Sequence, residues 1–160
     1  MKKIKIKNIN NINNLEIIIE AGKNIKKGLA KIKILINLLI KFDNTGIWIC
    51  YAGVYWSKKE VDYKLFIKAL IEKDNTGKWI YEAGADWPVK KVDYKLFTEA
   101  LIEKDKTGEW IYNAGTYWPK KEVDFKLFIK LLIERDKTGE WIKEAKKNWP
   151  KWSEYEKNKN

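Results

Sequence analysis

The sequence predicts an all-α protein, an α-solenoid of 31-residue two-helix repeats, on three observations. The turn phrase Asp-x-Thr-Gly occurs at Asp43–Gly46, Asp74–Gly77, Asp105–Gly108 and Asp136–Gly139, each copy 31 residues after the last. The tryptophans keep that register as two series, Trp48, Trp79, Trp110 and Trp141, then Trp56, Trp87, Trp118 and Trp149. The segments between them are rich in helix formers and show no strand-like alternation. A fixed period of this length is the signature of a stacked repeat whose units share one core.

The whole chain, 1–160, is expected to form one helical-repeat domain. Residues 1–14, "MKKIKIKNINNINN", are a basic segment with no long apolar stretch and cleavage site behind it, so a signal peptide is not expected. Residues 16–46 form a degenerate capping repeat, with Ala21-Gly22 under Ala52-Gly53, Ile25 under Trp56 and Leu35 under Phe66. Residues 47–139 hold three regular repeats, and 140–160 a C-terminal cap. In each regular repeat the first helix begins near the first tryptophan, Trp79 for example. It ends at Trp87, because Pro88 disfavours helical geometry in the residue before it. The second helix spans Lys64 to Lys73, with Asp62 as N-cap and Val61 and Phe66 placed as a hydrophobic staple. The Asp of the turn phrase reads as a turn former, and its Thr as the N-cap of the next helix. Four units, the first degenerate, and a closing half-unit from Glu140 result. There Lys146 replaces the glycine of the earlier copies, and Trp152 is placed to cover the end.

Copies of one unit can be compared with one another. Positions that repeat, including both tryptophan series and Gly53, Gly84 and Gly115, are expected to pack. Positions that drift are free for solvent or a partner. The drifting arc of the first helix supplies the candidate partner-binding residues Tyr51, Tyr55, Tyr81, Glu82, Asp86, Tyr112, Asn113 and Tyr117.

Composition narrows the function. Histidine is absent, Ser57 and Ser153 sit in no nucleophile motif, and Cys50 has no histidine to activate it. No phosphate-binding glycine loop is present, and the Asp-x-Thr-Gly turns lack the further ligands of a calcium loop. No catalytic residue, cofactor or metal is therefore expected, and the protein is not expected to be an enzyme. One cysteine and no transmembrane-length apolar run predict a cytoplasmic protein without membrane contact. The net charge of +11 is concentrated at the start, where residues 1–46 carry ten lysines against three acids. An alternative function follows, salt-sensitive binding of RNA or DNA through Lys2, Lys3, Lys5, Lys7, Lys23, Lys26 and Lys27. A single arginine, Arg135, argues against base-specific readout.

The phrases "TGEWIYNAGTYWP" and "VDYKLFTEALIEKD" resemble HEAT-like helical repeats of short period, over roughly residues 16 to 150. The units also resemble those of uncharacterised proteins of phages and AT-rich bacteria. The resemblance implies a protein-binding solenoid, and its phage side implies an inhibitor of a bacterial defence nuclease, an anti-CRISPR-like protein whose partner is a CRISPR effector nucleoprotein. One HEAT-like group, the DNA glycosylases acting on alkylated bases, makes repair of DNA a further alternative.

Overall fold

The computed structural model describes residues 12–23, 29–56, 59 and 61–158, and among them the chain is all helical with no strand. It divides into two compact units, Met1–Lys73 and Asp74–Asn160. The first contains α1 (Ile12–Lys23), α2 (Leu29–Phe42), α3 (Ile47–Tyr55) and α4 (Tyr63–Lys73). The second contains α5 (Lys78–Asp86), α6 (Tyr94–Lys104), α7 (Glu109–Tyr117), α8 (Phe125–Arg135), α9 (Glu140–Asn148) and the short α10 (Trp152–Lys157). In the first unit α1 packs on α2 and α3, and α3 on α4. In the second, α5 packs on α6 and α7, α7 on α8 and α9, and α10 on α8 and α9. Packing of each helix on its neighbours in sequence is compatible with a helical repeat.

The helix boundaries have local causes. Asp93 and Asp124 cap α6 and α8, each accepting the amide of the residue three on at 3.1 and 3.0 Å, and Asp62 does the same for Leu65 at the start of α4. Gly46, Gly77, Gly108 and Gly139 stand at φ between 75° and 89°, the left-handed region that a side chain resists, and there the chain turns into α3, α5, α7 and α9. The turn aspartates hold these corners. One oxygen of Asp105 accepts from Thr107 N, Thr107 Oγ1 and Gly108 N at 2.9–3.1 Å; the other accepts from Ile111 N at 2.9 Å, inside the first turn of α7. Asp43, Asp74 and Asp136 repeat the set with Ile49, Ile80 and Ile142. Threonine, expected as the N-cap, receives only the amide two residues on, at 3.1–3.4 Å, while aspartate reaches deeper into the helix. All four carboxylates are buried, and each is satisfied by this ring of donors. At Asp136, burial pushes the pKa up, but the bonds from Ile142, Thr138 and Gly139 outweigh it and hold the carboxyl below its ordinary value.

Three of the second tryptophan series, Trp56, Trp118 and Trp149, build the seam between first helices within the units. Trp56, Trp87, Trp118 and Trp149 are all buried. Within the first unit the Trp56 indole lies against Gly22 and donates to Ile19 O at 2.9 Å. Within the second, Trp118 lies against Gly84 and donates to Tyr81 O at 2.9 Å. A Cβ at either glycine would fall inside the indole, so these positions admit no side chain. Trp149 lies against Gly115 and donates to Thr116 Oγ1 at 3.2 Å, and that hydroxyl donates to Tyr112 O at 2.9 Å. The threonine is inserted into a bond made directly in the earlier copies. A second contact also has a substitute. Tyr63 and Tyr94 donate their hydroxyls to Gly53 O and Gly84 O at 2.7 and 2.8 Å. The corresponding residue in the next copy is Phe125, and Lys120 Nζ donates to Gly115 O instead, at 2.9 Å.

The first tryptophan series departs from expectation. Trp48, Trp79, Trp110 and Trp141 are half-buried, not core. They occupy the first turn of nine-residue helices, and within the second unit Trp110 and Trp141 stack on Tyr81 and Tyr112 of the preceding first helix.

Candidate functional site

The candidate partner-binding residues separate into those at the surface and those in the seam. In the first unit Tyr51 and Tyr55 are exposed on successive turns of α3, with rings 6.2 Å apart. Trp48 meets Tyr51 edge-on at 6.0 Å. Lys23 Nζ stands 4.8 Å from the Tyr55 ring and 3.2 Å from Glu20 Oε2, so its charge is already engaged by two neighbours. The other lysines of the nucleic-acid alternative, Lys2, Lys3, Lys5, Lys7, Lys26 and Lys27, lie outside the described residues.

In the second unit α5 and α7 bring three aromatic rings together. Tyr81 stacks on Trp110 at 5.8 Å and 22°, and Tyr117, 63% exposed, tilts against Tyr81 at 6.2 Å. Glu82 and Asp86, one turn apart on α5, flank this cluster. Neither carboxylate takes part in an ion pair or hydrogen bond among the described residues. Their charge is felt locally. Burial, then Glu82, Tyr117 and Asp86, push the Tyr81 hydroxyl up to about 12, and burial with Asp86 raises Glu82 against the opposing pull of Lys78. Lys78 Nζ lies 4.9 Å from the Trp79 ring and 5.8 Å from that of Trp110, so the rings already hold a cation over their faces.

One of the expected residues does not belong to this surface. Tyr112 is buried, stacked on Trp141 at 5.4 Å and on Trp149 at 6.2 Å, with its hydroxyl accepting from Asn148 Nδ2 at 3.0 Å. Burial at its repeat position varies between copies: Cys50 and Tyr112 are buried, Tyr81 is half-buried and Lys143 is exposed. Asn113 turns its amide back to Glu109 O at 3.0 Å and is half-buried. Conversely, Trp110 is a surface aromatic that its regular recurrence disguised.

Arg135 has a structural use: its guanidinium donates to Leu101 O, Ile102 O and Asp105 O, closing the carbonyl end of α6. Cys50 is buried. No group of three or more Cys, Asp or Glu side chains that could hold a metal ion occurs among the described residues, and no helix among them is long and apolar enough to cross a membrane.

No protein-family model, curated protein or solved structure matches this chain.

Proposed function

We propose that the chain is a helical-repeat binding scaffold, a solenoid of 31-residue two-helix units, that engages a protein partner through the exposed aromatic residues of its first helices. The observation that carries this reading is the surface cluster of Tyr81, Trp110 and Tyr117 beside Glu82 and Asp86, which form no ion pair among the described residues. Aromatic side chains offer large contact area at small entropic loss, and they dominate affinity where they form a patch. Tyr51 and Tyr55 offer a second such patch on the first unit. Starts at Ile47, Lys78, Glu109 and Glu140, each 31 residues apart, support the repeat architecture.

The test is affinity capture from the native host's lysate, with and without nuclease, by the chain and by a Tyr81→Ala/Tyr117→Ala variant. A stoichiometric protein that survives nuclease and is lost by the variant, while helical circular dichroism is unchanged, supports the reading. Capture of nucleic acid alone, or equal capture by the variant, overturns it.

A further inference from the structure

A groove lies beside the second helices in each unit, and these two grooves stand at the same register of the repeat. In the first unit a groove of about 390 Å³ runs between α2 and α4, floored by Ile32, Ile36 and Val61. In the second a groove of about 660 Å³ runs between α8 and α10, floored by Val123, Phe125 and Ile129. Moving three periods along the chain carries Ile32 onto Phe125, Lys33 onto Lys126 and Ile36 onto Ile129. The walls are apolar as well: Leu65 stands 37% exposed at the first groove, and Pro150 is exposed at the second.

The rims are cationic. Lys33 and Lys59 border the first groove and Lys126 the second, and none of the three has an ion pair or hydrogen bond among the described residues. The acids that line the grooves are fewer than the cations, and each already has a partner. Asp62 and Asp124 cap α4 and α8 by accepting from Leu65 N and Leu127 N at 3.1 and 3.0 Å, and Glu154 pairs with Lys151 at 3.0 Å. Each groove therefore offers an apolar floor beside a lining with one more cation than anions: Lys33 and Lys59 against Asp62, and Lys120, Lys126 and Lys151 against Asp124 and Glu154.

We propose that these grooves bind an acidic protein segment, an apolar side chain entering the groove while neighbouring carboxylates pair with Lys33 and Lys59, or with Lys126. Charge complementarity selects the carboxylates, and the apolar floor selects a side chain that a phosphate backbone does not carry. This proposal uses the second helices, so it stands or falls separately from the tyrosine surface of α3, α5 and α7.

The experiment is fluorescence anisotropy with a labelled peptide of alternating aspartate and leucine, against controls with serine for leucine and lysine for aspartate. Native chain binds the first peptide and neither control. A Lys33→Glu/Lys59→Glu/Lys126→Glu variant binds it about tenfold or more weakly, as when attractive pairs become repulsive. The Tyr81→Ala/Tyr117→Ala variant binds it unchanged. Amide chemical shifts perturbed by the peptide cluster at the two grooves, an independent readout that needs no variant. No binding by native chain, equal binding of the serine control, shifts elsewhere, or association with phosphatidylglycerol vesicles in place of the peptide each overturns the proposal.

Discussion

At the scale of single residues, recurrence in the sequence and burial in the structure are separate properties. Trp110 and Trp118 both recur every 31 residues, yet Trp118 is enclosed against Gly84 and donates to Tyr81 O, whereas Trp110 is half-exposed and stacks on Tyr81. Their truncations should diverge. Trp118→Ala removes a buried ring and leaves a cavity, so it should cost about 3–5 kcal/mol, a fall in Tm on the order of 10 °C. Trp110→Ala should cost nearer to about 1 kcal/mol. Thermal melts of the two variants check this, and equal losses would refute the division into seam and surface. Tyr81 allows a second prediction. Burial and then the Glu82, Tyr117 and Asp86 charges raise its pKa from 10.0 to about 12, and burial and then Glu122 raise Tyr94 from 10.0 to about 12. A folded-state pKa above the unfolded value stabilises the fold fully below the unfolded pKa, and that stabilisation is lost as pH rises through the folded one. The protein should therefore weaken between about pH 10 and pH 12, near the ordinary and raised values of a tyrosine. In ultraviolet titration, Glu82→Gln/Asp86→Asn should move Tyr81 part of the way back, since burial remains, and should leave Tyr94 in place. A Tyr81 transition unmoved by that change would show that the two carboxylates do not act on it.

At the scale of the element, the turn aspartate makes a corner and a helix start from one side chain. Four donors converge on Asp105, three of them backbone amides, and all lie within six residues of it in sequence. Asp105→Ala would leave Gly108 N and Ile111 N buried without partners, and should cost about 3 kcal/mol. Hydrogen exchange should quicken first at the start of α7; a uniform change across the second unit would mean that the turn is not the local cause. This locality also explains what the sequence disclosed. Caps, glycine corners and the stop at Pro88 depend on residues a few positions apart, so the starts of α4 and α5 were legible to within a residue or two. Tyr112 was not, because its environment is made by Trp141 and Trp149, 29 and 37 residues away. The second-helix grooves were not legible either. Ile36 and Val61 form one floor only once α2 and α4 are side by side, and Leu65 reads as an ordinary apolar helix residue until its exposure is seen. Of the expected surface residues, Tyr51, Tyr55, Asp86 and Tyr117 are exposed, the last three at the position opposite the glycine seam of a nine-residue helix.

At the scale of the whole molecule, the charge is divided unequally between the two units. Residues 1–73 carry 15 lysines against 6 acids, a net +9, while residues 74–160 carry 18 basic side chains against 16 acids, a net +2. The ion pairs formed among described residues are surface pairs, such as Lys146–Glu156 at 2.9 Å and Lys147–Glu144 at 2.7 Å, and pairs of that kind add little stability. Four of the six such pairs lie in the second unit. The first unit therefore folds against a larger self-repulsion with fewer opposing charges to offset it. Salt screens charges separated by more than about 10 Å at 0.1 M, so it relieves distributed repulsion while hardly touching the buried tryptophan seam. Raising sodium chloride should slow hydrogen exchange in α3 and α4 more than in α7 and α8. Replacing Lys64 and Lys68, exposed on α4, with glutamine should reproduce part of that gain without salt. If the second unit gained as much protection as the first, the excess charge would not limit stability. The same comparison separates repulsion from binding: slowed exchange at high salt reports the relieved fold, whereas a docked acidic segment at the grooves should be released by it.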